Sequence, residues 1–103
     1  MILQKGTRLF VRLDYAIEGT KFCANDYTDH IAYVRGIAKE RYFLGGGCKG
    51  GANSAGGICV FEAADFDDAQ TVASGDPLIM RGLFRFELLE WDIFIASESK
   101  VLS

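Results

Sequence analysis

Every odd position from Leu9 to Ile17 is apolar (Leu9, Val11, Leu13, Tyr15, Ile17), while the even positions include Arg12 and Asp14. A period of two puts alternate side chains on opposite faces of an extended chain, so this segment predicts a strand with one face turned to a core. The period then changes. Tyr27, Ile31, Val34 and Ala38 recur at helical spacing, and Asn25, Asp26, Thr28 and Asp29 supply capping groups and negative charge where a helix begins. A first strand followed by a first helix excludes the all-strand and all-helix classes.

Two short apolar runs follow, Arg41 to Leu44 and Ile58 to Ala63, and they predict strands two and three. Between them GGGCKGGANSAGG has no side chains able to pack a core, which predicts a mobile hairpin loop over 45–57. Phe66, Ala69, Val72 and Ala73 share one side of a short second helix, with Asp65, Asp67 and Asp68 at its positive end. Gly75 closes that helix, and Asp76-Pro77 opens one further turn. In the final strand the apolar set moves from even positions (Phe84, Phe86, Leu88) to odd ones (Leu89, Trp91, Ile93, Ile95), a phase change that predicts a bulge or burial on both faces.

The order βαββαβ is the ferredoxin-like pattern of the α+β class, an antiparallel sheet with both helices on one face. Phe10 on the minor face of strand one, together with the surplus apolar groups of the last strand, leaves the other sheet face in need of cover. A second copy supplies it, which predicts a homodimer whose facing sheets enclose a cavity. A length of 103 residues fits a single domain over 1–103.

Charge and cysteine usage narrow the function. The net charge is -3 and the basic residues are scattered, so nucleic acid is not an expected partner. No apolar run approaches the roughly 18 residues of a membrane span, so no membrane association is expected and the expected location is cytoplasmic. Cys23, Cys48 and Cys59 form an odd set without CxxC spacing, and the chain has one histidine, so reduced thiols and no metal are expected. No dinucleotide fingerprint is present, and no cofactor is expected.

The strand FVRLDY, the helix HIAYVRGIAKERYFLGGG, the strand GICVFEA and the run SGDPLIMRGLFRFELLEW together resemble the YCII-related proteins over roughly Leu9 to Ile95. The resemblance implies a dimeric α+β barrel with a small cavity in each protomer and a histidine–aspartate pair, matched here by His30 and Asp76. It also implies relatives acting on small cyclic or phenolic compounds, among them an isomerase, monooxygenases and a dehydrochlorinase. The run GTKFCAND before the helix and the glycine-rich loop depart from the usual pattern and reshape the expected cavity mouth.

His30 is the side chain whose ordinary pKa lies nearest neutrality, and a position at a helix head favours the neutral base. A carboxylate from Asp76 on the other ring nitrogen would fix the tautomer; as a plain structural residue, Asp before Pro is a helix cap. Ser74, two residues earlier, is a candidate substrate contact. Lys49 lacks the GK[ST] context of a phosphate loop, and Cys48 reads as a spectator thiol. Tyr15, Tyr27, Tyr33 and Tyr42 are candidate cavity donors. Two functions are expected from these residues: a cofactor-free isomerase, lyase or hydrolase with a His30–Asp76 dyad, or a non-catalytic domain that binds a small molecule or assembles.

Overall fold

The computed structural model describes residues 3–50 and 56–97. Its elements are β1 (Leu9–Ala16), α1 (Ala24–Glu40), β2 (Phe43–Gly47), β3 (Gly57–Glu62), α2 (Phe66–Ser74), α3 (Pro77–Met80) and β4 (Phe84–Trp91). The strands form one antiparallel sheet in the order β2-β3-β1-β4, the ferredoxin-like order expected from the element sequence.

Residues paired directly across an antiparallel ladder share a face. Phe10 pairs with Phe61, which in turn pairs with Phe43, so these three point to the helices. Phe66 of α2 meets Phe10 edge-on, with ring centroids 5.7 Å apart at 79°. Phe10, Cys59, Phe61, Ala63 and Ala69 make the core, with Phe43, Val72 and Leu88 packed against it. Each fully buried phenylalanine contributes about 1.5–3 kcal/mol relative to exposure.

This packing reverses the faces assigned to β1 by alternation. The even face, with Phe10, Arg12 and Asp14, is the one under the helices, whereas Leu9, Val11 and Leu13 point to the open side. Alternation places charge outside, but Arg12 is only 2% exposed: its Nε and Nη1 meet carboxylates beneath the helices, while Nη2 is buried without a partner among the described residues. A buried ion pair therefore inverts the pattern, and Phe10 belongs to the core beneath the helices rather than to the open face.

Three boundaries also differ. Gly45, Gly46 and Gly47 lie in β2, paired with Cys59, Ile58 and Gly57, because ladder hydrogen bonds need no side chain. The hairpin connection is correspondingly shorter than the loop expected over 45–57, and 51–55 lie outside the described residues. Strand β4 stops at Trp91 instead of reaching Ile95, and its register with β1 runs unbroken from Ala16↔Phe84 to Leu9↔Trp91. No bulge accommodates the phase change. Leu88 turns to the core and Leu89 to the open face, where Leu89 is 53% and Trp91 48% exposed.

The same open face carries Leu44, 60% exposed, beside Val60 and Val11. Among the described residues no helix is long and apolar enough to cross a membrane.

Candidate functional site

Helix α1 begins at Ala24, where the Cys23 backbone N–H donates to the Asp26 carboxylate at 2.9 Å. His30 is consequently almost two turns inside the helix, not at its head. The field of a helix N-terminus fades within the first turn, so it does not govern this imidazole. What positions it is the clamp between α1 and α3. Arg81, at the end of α3, donates to Asp26 and to Asp29, both at 2.8 Å. Tyr33 Oη donates to the Val72 carbonyl at 2.8 Å, and it sits so close to Gly75 that a side chain there would collide with it.

With α1 held in this way, His30 Nδ1 lies 2.7 Å from Asp76 Oδ2. Asp76 is wholly buried and its two oxygens divide their work. Oδ1 accepts from the Leu78 backbone N–H at 2.9 Å, capping α3, while Oδ2 takes both His30 and Arg12 Nη1, the latter at 3.0 Å. Arg12 Nε donates in turn to Asp14 Oδ1 at 2.7 Å. The result is a chain of four polar side chains, His30–Asp76–Arg12–Asp14, that runs beneath the helices.

Burial alone would push the Asp76 carboxyl up, but the hydrogen bonds from His30 and Leu78 and the Arg12 charge outweigh it and hold the group below the ordinary value of 3.8. Asp76 is therefore ionised near neutrality and can only accept. It follows that the His30 nitrogen facing it, Nδ1, is the donor of that bond. Nε2 makes no hydrogen bond to a described residue. Asp14 goes the other way: burial outweighs its pairing with Arg12, and its carboxyl lies above the ordinary value.

His30, Arg12 and Asp14 line a cavity of about 260 Å³ between α1 and the helix-facing side of the sheet. Phe22, Phe84 and Leu78 give it apolar walls, and Gly45, Gly47 and Gly57 a wall of bare backbone. Cys59 also lines it, but burial pushes its thiol up to about 11, so it is no thiolate nucleophile near neutrality. Among the described residues no group of three or more His, Cys, Asp or Glu side chains is placed to hold a metal ion.

The family resemblance paired His30 with Asp76, and the fold brings them into contact. Ser74 stands apart: it is exposed at the end of α2, takes a 3.4 Å hydrogen bond from Gln70, and is not among the lining residues. Of the tyrosines, Tyr27 lines the cavity, whereas Tyr15 lies under Arg85, with 4.4 Å from guanidinium to ring centre. Arg12 and Asp14 escaped the sequence reading. Their signal was present in FVRLDY, as two charges on the face that carries Phe10.

The YCII-related domain family matches residues 9–92 of the chain. No curated protein matches it in sequence. Among solved structures, it resembles 5-chloro-2-hydroxyhydroquinone dehydrochlorinase from Burkholderia phenoliruptrix, in complex with 2,5-dihydroxybenzoquinone. The TM-score is 0.67 at 22% identity, covering 82% of this chain and 93% of that one. At that identity the likeness speaks for the fold alone.

Proposed function

Since the chain belongs to the YCII-related family, we propose that it is a cofactor-independent enzyme acting on a small cyclic or phenolic molecule, with His30 as the acid–base group and Asp76 as the residue that orients it. The observation that carries this reading is the 2.7 Å His30–Asp76 contact at the wall of a mostly apolar cavity of about 260 Å³. A carboxylate behind Nδ1 fixes the tautomer and steadies the imidazolium that forms once Nε2 has taken a proton. For scale, an apolar cavity of about 150 Å³ holds benzene. The space here suits one substituted ring, the size class of the quinone held by the structural neighbour.

The open sheet face points to self-association. Leu44, Leu89 and Trp91 together form an apolar surface that a second copy would cover sheet to sheet, in keeping with the dimeric barrel that the family resemblance implies.

The test is a screen of small cyclic and phenolic compounds against the wild-type chain and His30→Gln. Turnover by the wild type is expected to fall by about 100-fold or more in the variant, at unchanged melting temperature. Compounds that bind with no turnover at all would favour a storage or sensing domain, and turnover surviving in His30→Gln would remove the histidine from the chemistry.

A further inference from the structure

The cavity wall holds a second carboxyl group that the His30–Asp76 chemistry leaves idle. Asp14 lies two residues from Arg12 on β1, on the same face of the sheet. Arg12 sits between two carboxylates, giving Nη1 to Asp76 and Nε to Asp14. The two carboxylates are not equivalent. Asp76 has no exposed surface and accepts three hydrogen bonds, whereas the Asp14 side chain is 14% exposed, lines the cavity, and accepts nothing at Oδ2 from a described residue.

We infer that Asp14 is a second proton-transfer residue, delivering a proton to one atom of a ring substrate while His30 removes a proton from another. This deepens the proposal for His30 and rests on it. The opposite displacements of the two carboxyl groups support it, since environments that separate two like groups divide acid from base roles. The charged and titratable groups around Asp14 are Arg12 on its own strand, Cys59 on β3, His30 on α1 and Asp76 at the start of α3; β4 places Phe86 opposite it.

The substrate class that uses both groups is an unsaturated ring ketone isomerised by a proton shift. His30 Nε2 takes a proton from the carbon beside the carbonyl, and the C–H electron pair moves into a dienolate. The distal carbon of that dienolate takes the proton of the Asp14 carboxyl, and the double bond moves into conjugation. Imidazolium and carboxylate then return to their starting states by exchange with solvent. The step needs no oxidant and no leaving group.

The probe is β,γ-cyclohexenone in deuterated buffer, with conversion to the conjugated ketone and deuterium uptake beside the carbonyl followed together by NMR. Wild type is expected to catalyse both. Asp14→Asn keeps an oxygen for Arg12 and is expected to lose isomerisation by about 100-fold or more while His30-dependent uptake continues, which also reports that the variant is folded. In wild type, isomerisation should fall as pH rises through the Asp14 pKa while uptake does not, a readout independent of any variant. Isomerisation by Asp14→Asn at the wild-type rate overturns the inference, as does uptake without isomerisation in wild type; both leave His30 as the base. Absence of both uptake and isomerisation in wild type overturns the inference and the His30 reading together.

Discussion

Asp76→Asn is expected to lower stability by about 1–3 kcal/mol, because it takes the charged acceptor from the buried Arg12 Nη1 and from His30, while Arg12 Nε keeps Asp14. Were Asp76 only a helix cap, the change would be a few tenths of a kcal/mol, since Asn caps nearly as well. In a chain of this size a loss of 3 kcal/mol corresponds to a melting shift of at least about 12 °C. The double variant Arg12→Met/Asp76→Asn should recover part of the loss, since it removes the buried charge that the single change deprives of one partner. Urea or thermal melts of the three proteins decide it. A near-wild-type Asp76→Asn would mean that the Arg12–Asp76 contact holds nothing together.

Acid unfolding offers a second readout of the same network. The Asp76 carboxyl is lowered in the fold, so its contribution is present above the ordinary value of 3.8 and is lost as pH falls through the folded value. Asp14 is raised, so its contribution is present below 3.8 and is lost as pH climbs through the folded value. Asp76→Asn should therefore flatten the acid limb of a stability–pH curve.

Val11→Arg is expected to break the proposed dimer. Val11 lies opposite both Val60 and Leu89 on the open face, so a guanidinium there would have to be buried, unpaired, between two sheets. Symmetry places one such charge on each copy. A rise of about a thousandfold in the dimer dissociation constant, roughly 4 kcal/mol, is expected by light scattering over a dilution series. An unchanged mass at every concentration would place the interface elsewhere or leave the chain a monomer.

Much of the fold was legible because it rests on local signals. The strand and helix order, the acidic start of α2, the Asp76 cap and the Gly75 stop follow from side-chain chemistry within a few residues. What was misread depends on partners distant in the chain. The helix-facing side of β1 could not be chosen without knowing that Arg12 would meet Asp76, 64 residues away. The glycines of β2 gave no strand signal because a ladder built on backbone leaves no mark in side-chain periodicity. For the site, His30 and Asp76 were legible through a family resemblance, while Asp14 and Arg12 were hidden by the rule that strand charges face water. A functional site is where such a rule is expected to fail.

In the proposed dyad Asp76 holds the proton of His30 on Nδ1 and leaves Nε2 as the base. His30 is the single histidine of the chain, so isotope-edited NMR of its two imidazole nitrogens needs no assignment. At mildly alkaline pH the Nδ1–H tautomer is expected in the wild-type chain, with Nε2 bearing the lone pair, and this preference should vanish in Asp76→Asn. A wild-type imidazole that carries its proton on Nε2, or that shows no preference between the two nitrogens, would contradict the claim.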